Sequence, residues 1–548
     1  PGLISYDFHS QGDLDVGEIY SGQADVLKAI KPELVSRITS VGGTSSYELN
    51  AAGKISNFKW TAPDDYSLKI SPESVEIAIN GSPSPISLTA GGVEVRPGEV
   101  AINHVIAAPT MPHSGNALLN GTIITDRVHP MVRDFTADLH EFRAETWLPL
   151  GLDPHQFAAK GAVGGHLSAQ SDPKKPGFPV ITGQLTMAQG ELELGFLRSP
   201  IIASSMTVAL DGQGLKLNLP GGELEGHPIS LTIAMDDFEH PVMQLDATCG
   251  DLDFEVMRFI RMPWSPKTPV EVFDLAIRGH IIANHALFGK LALADVATDF
   301  DRLNGEWHVK DFTAKALDGQ VKLDLAGKSG ADNRIHIKAH GAGIDAGALS
   351  MLAGQGPPAL TGRLSAKGDI WANTDTDFFA SLNGNAAIDV QKGTVNRFAL
   401  VTRVLSYIDL KNWLTARFPD PRVAGIPFDT LTATLNGNAG DFRTQDLRLS
   451  GPVMEITARG DVRLSDDTLD MELSLIPFDT VNWLVRKIPI IGRNLSGGSK
   501  DLIAAYFHVY GPISNPTVRP KPITSVAEFV AKTLSLPINI IKPNTINP

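Results

Sequence analysis

Residues 201–235 read IIASSMTVALDGQGLKLNLPGGELEGHPISLTIAM, and in three successive stretches every second position is apolar. Met206, Val208 and Leu210 alternate with Thr207 and Ala209, and Leu215, Leu217 and Leu219 alternate with Lys216 and Asn218. Ile229, Leu231, Ile233 and Met235 alternate with Ser230, Thr232 and Ala234. A period of two sends successive side chains to opposite faces of an extended chain, so each stretch is a strand with one apolar and one polar face. Asp211-Gly212 lies between the first two stretches. Such a pair tolerates positive φ and suits a tight hairpin turn, which makes the neighbouring strands antiparallel.

The same alternation recurs at Val321, Leu323 and Leu325, at Ile335, Ile337 and Ala339, and at Leu431, Ala433 and Leu435. It returns at Met454, Ile456 and Ala458, and again at Leu469, Met471, Leu473 and Leu475. Further turn pairs stand at Asn80-Gly81, Asp318-Gly319, Asn383-Gly384 and Asn436-Gly437. With 51 Gly and 37 Pro and no collagen period, the composition fits many strands joined by short turns.

A larger unit repeats: a Gly, a strand pair, then an acidic or polar corner followed by an apolar stretch. Copies run from Gly226 to Asp251, Gly319 to Asp345 and Gly451 to Asp479, distances of 25, 26 and 28 residues. A looser copy starts at Gly115 and ends near Leu139. Units of this kind stacked edge to edge make one sheet rather than separate globules. The fold class expected is therefore mainly β: an elongated, twisted antiparallel sheet of repeated units forming an open apolar groove, with a few short helices near the C-terminus. Some 30 strands at ~4.8 Å would span roughly 150 Å. The expected divisions are 1–85 (strands and a short helix), 86–350 (repeated groove units), 351–522 and an amphipathic segment 523–548. Helices are expected over Ala24–Ile38, Arg397–Phe418, Thr480–Lys487 and Thr524–Leu534.

Hydrophobic residues make up 43% and charged residues 20%, which excludes global disorder. The net charge of −14 argues against a nucleic-acid partner, because affinity for phosphate backbones comes mainly from Lys and Arg. From Arg397 onward, however, 17 basic residues face 14 acidic ones, a weakly basic tail on an acidic body. Cys249 is the single cysteine, so an intramolecular disulfide and a thiolate zinc cluster are excluded; in a strand it reads as a small core residue. No run of about 18 apolar residues marks a transmembrane helix. The chain opens on Pro1-Gly-Leu-Ile-Ser-Tyr, which reads like mid-strand, and the expectation is a fragment whose preceding part, with any anchor, is missing.

No motif reads as catalytic, metal-binding or cofactor-binding. Gly327-Lys328-Ser329 has Lys322, not Gly, five residues before it, and no helical pattern after it, so it is not a P-loop. His336 and His340 lie four apart in a β pattern, about 13 Å from each other on one face, and read as solvated surface residues. Asp251 and Asp253 read as corner residues that stabilise a turn rather than as paired carboxylates for glycoside chemistry. Cys249 has no nearby His to activate it.

From about Ile344 onward the chain resembles the C-terminal region of AsmA-like envelope proteins, the AsmA, TamB and YhdP group. The resemblance is carried by LTGRLSAKGD from Leu360, SLNGNAAIDVQKGTV from Ser381, PFDTLTATLNG from Pro427, LRLSGPVMEITARG from Leu447 and YGPISNPTV from Tyr510, with a helical pattern after the second. It implies an N-terminal anchor in the inner membrane of a Gram-negative bacterium and a periplasmic, curved β-sheet. That sheet's apolar groove would conduct phospholipid toward the outer membrane.

The groove lining expected from the alternation is Met206, Val208, Leu210, Ile229, Leu231, Ile233, Val321, Leu323, Leu325, Ile335, Ile337, Leu431, Leu435, Met454, Ile456 and Met471. Acyl chains of phospholipids or other lipids would fill it at about 0.8 kcal/mol per buried CH₂. A membrane contact is expected at Thr524–Leu534, where Val526, Phe529, Val530 and Leu534 form one stripe near Arg519, Lys521, Lys532 and Lys542. An envelope protein partner is a further expectation. The alternatives are a β-helical or β-sandwich adhesin with a filled interior and an enzyme on a β-scaffold.

Overall fold

The computed structural model describes residues 4–521, apart from 22–35, 57–58, 61–64, 126–130, 151, 173–178, 213, 238–240, 255–275, 329–333, 354–357, 359, 374–377, 397–424, 453, 478–504 and 514–515. The described residues are mainly β and fall into two compact units, one mostly within 1–284 and the other mostly within 285–548.

The first unit holds β1 (Ile4–Asp15), β2 (Ile38–Gly42), β3 (Thr44–Ser56), β4 (Lys59–Trp60), β5 (Asp65–Pro72), β6 (Val75–Ile79), β7 (Ile86–Arg96) and β8 (Glu99–Pro109). It continues with β9 (Asn116–Ile124), β10 (Met131–Arg143), β11 (Phe157–Gln170), β12 (Val180–Leu194), β13 (Ile201–Gly212), β14 (Leu215–Leu224), β15 (His227–Met235) and β16 (Val242–Asp253). From β7 to β16 each strand pairs antiparallel with the next. Upstream the sheet forks. Residues 86–88 of β7 pair with β6, while residues 93–95 pair with β5. From there β6 leads to β2, and β5 leads to β3 and β1.

β17 (Ala276–Phe288) and β18 (Leu291–Leu303) carry residues of both units. The second unit then holds β19 (Glu306–Ala316), β20 (Gly319–Lys328), β21 (Arg334–Asp345), β22 (Arg363–Asn373), β23 (Asn383–Val395) and β24 (Ile426–Asn438). It ends with β25 (Asp441–Ser450), β26 (Met454–Arg463), β27 (Thr468–Pro477), β28 (Ala505–Pro512) and β29 (Thr517–Pro520). All of these pair antiparallel in chain order, and among the described residues no pairing joins β29 back to β19, so the sheet is open.

Each repeat copy in the sequence is one antiparallel strand pair: β9 with β10, β15 with β16, β20 with β21, and β26 with β27. Two corners carry helices, α1 (Ala144–Trp147) after β10 and α2 (Ala346–Ala353) after β21. Asp345 Oδ1 accepts from the backbone N–H groups of Gly347 (2.7 Å) and Ala348 (3.0 Å) and so caps α2, which explains why an Asp stands at that corner.

The helices expected at 397–418, 480–487 and 524–534, and residues 24–35 of that at 24–38, lie outside the described residues; Ser36 and Arg37 are helical and Ile38 opens β2. Of the described helical stretches, α1 and α2 sit at repeat corners, and a further one covers residues 16–21. Two expected turns are not turns. Asn383-Gly384 opens β23 and Asn436-Gly437 lies inside β24, and these segments pair, with Gly384 opposite Gly437. The glycines answer to close approach: a Cβ on Gly437 would stand 2.4 Å from the Phe442 ring, and one on Gly384 2.1 Å from the Asp369 carbonyl oxygen. Asp211-Gly212 closes β13, and β14 begins at Leu215.

Candidate functional site

Strand register assembles one apolar face in each unit, because directly opposed residues share a face. In the second unit Leu325, Ile337, Ile370, Gly384 and Gly437 form one row across five strands. Beside it run Leu323, Ala339, Gly368, Ala386 and Leu435, and then Val321, Gly341, Ala366, Ile388 and Ala433. The rows continue beyond β24 through Leu431, Leu449, Ile456 and Leu475. In the first unit Val208, Leu217, Ile233 and Leu245 form one row, and Leu219, Leu231 and Ala247 the next.

All sixteen expected lining residues lie on these faces, but their exposure divides them. Met206, Ile229, Leu231, Ile233, Met454 and Ile456 are buried, at most 8% exposed. Val208, Leu210, Val321, Leu323, Leu325, Ile335, Ile337, Leu431, Leu435 and Met471 are only half-buried. In the second unit the packed part is one cluster that includes Met454, Ile456, Leu473, Leu475, Phe507 and Val509, each 8% exposed or less. The accessible part lies on β20–β24, where the middle of the face is a strip of Gly and Ala between rows of Leu and Ile.

Large apolar residues alone do not mark that strip in the sequence. Leu364, Ala366, Gly368 and Ile370 do alternate along β22, but Gly and Ala carry too little hydrophobicity to announce a strand. Ile370 and Ile388 belong to the face and were not expected.

The opposite face is polar and laced with cross-strand ion pairs. Arg443 reaches Asp461 with two hydrogen bonds (Nε to Oδ1 2.7 Å, Nη2 to Oδ2 3.0 Å) and holds its carboxyl below the usual range. Lys521 and then Arg459 do the same to Glu472. Asp470 meets His508 at 2.7 Å, and Asp138 meets His166 at 2.6 Å.

The residues set aside in the sequence fall on strands. Gly327 and Lys328 end β20, and Lys328 pairs with Glu306 at 3.4 Å; Ser329 lies outside the described residues. Asp251 and Asp253 are in β16 rather than in a turn, with Asp251 3.2 Å from His227. Cys249 is 4% exposed on the apolar face, and burial pushes its thiol up to about 11. The reading of two solvated histidines is corrected. His336 stacks flat on Trp371 (3.9 Å, 2°) with Nε2 2.6 Å from Asp369 Oδ1, and His340 is half-buried; the neighbouring strand supplies the cover.

Among the described residues no group of three or more His, Cys, Asp or Glu could hold a metal ion, and no helix is long and apolar enough to cross a membrane. No curated protein sequence and no solved structure matches the chain. The model of the YhdP protein family, however, matches residues 137–518, from within β10 to within β29. The match takes in the β15–β16, β20–β21 and β26–β27 repeats and the whole accessible face on β20–β24, and the chain belongs to the YhdP family of AsmA-like envelope proteins.

Proposed function

We propose that the chain carries acyl lipids passively along the apolar face of its sheet, in the periplasm between the inner and outer membranes. Phospholipid acyl chains slide along the face while head groups stay in water, and no side chain does covalent chemistry. The observation that supports this is the half-buried apolar face on β20–β24. Large aliphatic side chains flank a strip of Gly and Ala there, and alternate rows keep the polar face charged. Each methylene laid on such a face gains about 0.8 kcal/mol when fully withdrawn from water. Membrane contact through 523–548 belongs to the same proposal.

The test is mass spectrometry of an organic extract of the purified chain, with Leu323→Asp and Leu435→Asp beside the parent. Stoichiometric phospholipid in the parent and depleted lipid in both variants is the expected result. An extract without lipid would instead favour a filled, non-catalytic structural protein of the envelope. The packing of Leu475 and Val509, each 1% exposed, already resembles such an interior in the C-terminal strands.

A further inference from the structure

The polar face of the second unit is charge-paired almost strand by strand: Lys328 with Glu306, Arg448 with Glu455, Arg443 with Asp461, and Arg459 and Lys521 with Glu472. One row departs from this. Lys322 on β20 lies directly opposite His340 on β21, and His340 directly opposite Lys367 on β22. Opposed residues on one face have Cβ atoms about 5 Å apart, and like charges placed so cost stability. None of the three has a carboxylate partner among the described residues.

The adjacent row, Asp324, Lys338 and Asp369, alternates in sign, and Asp369 is bonded to His336 at 2.6 Å. Burial, then Lys367 and Lys322, hold the His340 imidazole below its ordinary range, so the row already resists a third positive charge.

Beyond Lys367 the same face opens into a depression of about 380 Å³, lined among others by Lys367, Asp369, Asn385, Ala387, Thr434 and Asn436. Ala387 sits between Lys367 and Thr434, and its short side chain leaves the space. Asn385 and Asn436 face each other across β23 and β24 and bring amide donors without partners among the described residues. Of the row only Lys367 reaches the wall of the hollow, beside the Asn385 and Asn436 amides. Asp369, on the same wall, is engaged by His336, and His340 and Lys322 continue the row on the two strands beyond Lys367, so that cationic and amide donors of the kind an oxyanion accepts gather along one side of the hollow.

We propose that the row Lys322, His340 and Lys367, with the hollow beside it, is a binding site for a phosphate-type oxyanion on the polar face, opposite the lipid-carrying face. It takes either free phosphate or the phosphate of a lipid head group. The anion relieves the repulsion within the row and supplies the countercharge that the sequence omits there.

The site is tested on the full chain by calorimetric titration with inorganic phosphate at constant ionic strength, and by flotation with phosphatidylglycerol or phosphatidylcholine vesicles. Saturable phosphate binding is expected. Lys322→Gln and Lys367→Gln should each weaken it about tenfold or more, the worth of one charge-assisted hydrogen bond. Lys338→Gln, one row away, should leave it within about twofold. Because the two glutamine variants remove like-charge repulsion, their melting temperature should not fall, which keeps misfolding from imitating a lost site. The His340 imidazole, followed by NMR, should titrate higher with phosphate present. Flotation with phosphatidylglycerol that weakens in Lys322→Gln and Lys367→Gln assigns the site to a head group; phosphate binding with flotation the same in both variants as in the parent assigns it to the free ion. Absence of both, or equal loss in Lys338→Gln, would overturn the proposal.

Discussion

The division of the apolar face into a packed and an accessible part makes opposite demands on two substitutions of the same kind. Ile456 is 8% exposed and directly faces Leu449 (6%) and Leu475 (1%). Replacing it with Asp forfeits about 1.5–3 kcal/mol of apolar burial. It also places a carboxylate where desolvation costs several kcal/mol unless the group stays protonated. A loss above about 4 kcal/mol is expected, a large share of the 5–15 kcal/mol that holds an ordinary domain. Leu323 is half-buried against Phe312 and Ala339, so Leu323→Asp forfeits about half the burial, roughly 1 kcal/mol, and its carboxylate keeps water. Urea unfolding followed by fluorescence, with Trp307 and Trp371 as reporters within the second unit, measures both. The pH dependence should differ too. A carboxyl at 456 has a folded pKa raised above its unfolded one, so that variant recovers stability as pH falls from the folded value to the unfolded one, where the recovery is complete, and loses it as pH rises through the folded value. The variant at 323 should show little of this. If the two losses lie within about 1 kcal/mol of each other, the distinction between packed and accessible surface is refuted.

Other outcomes follow from the same geometry. Glu472 is held below its ordinary carboxyl range by Lys521 and Arg459, so its contribution is complete above the unfolded pKa near 4.5 and is lost as pH falls through the lowered value. Melting curves of Glu472→Gln and the parent should therefore differ at pH 7 and converge in acid. His340 has the opposite chemistry: a base whose folded pKa is lowered contributes fully above its unfolded value and loses that contribution as pH falls below it. His340→Gln should thus flatten the stability profile below about pH 6.5. Truncation after Pro522 should abolish liposome flotation with little change in melting temperature; unchanged flotation with a large drop would mean that 523–548 only caps the sheet.

Much of this architecture was legible because a period of two survives wherever the apolar face is made of large residues. Leu215, Leu217 and Leu219, or Met454 and Ile456, declare a strand, its two faces and its partner's register together. The legibility failed in three places, each for a physical reason. Asn383-Gly384 and Asn436-Gly437 look like hairpin turns, yet their glycines make room for a neighbouring backbone and for the Phe442 ring, a contact across strands that local sequence cannot disclose. The strip of Gly and Ala on β22–β24 has the right period but too little hydrophobic contrast. The exposure of the face was beyond reach, since Leu323 and Ile456 have the same alternation and differ only in what lies over them.

The bulges account for the last irregularity in the pattern. A strand that keeps strict alternation cannot absorb an extra residue without sending its apolar set to the polar face. These strands are 10–15 residues long through much of both units, and register shifts interrupt many of their pairings. At several of the shifts one residue takes a positive φ: His104 (50°), Asp134 (47°), Glu141 (53°) and Asp311 (50°). Such a residue spends one position without changing face, so that Val309 and Phe312, three apart, both lie on the apolar side opposite Leu325 and Leu323. The left-handed conformation is costly for a residue with a Cβ, and the neighbouring strand offsets part of the cost. The N–H of Asp311 donates to Asp324 Oδ1 at 2.9 Å, and that of His104 to Asn120 Oδ1 at 2.9 Å. Bulges also increase local twist. An apolar face that stays continuous while the strands coil therefore depends on polar residues of the opposite face, and Asp324→Ala should loosen Asp311 and with it the seating of Phe312. Amide hydrogen exchange at residues 309–313 measures this. Protection unchanged from the parent would show that the bulge holds its conformation without the carboxylate.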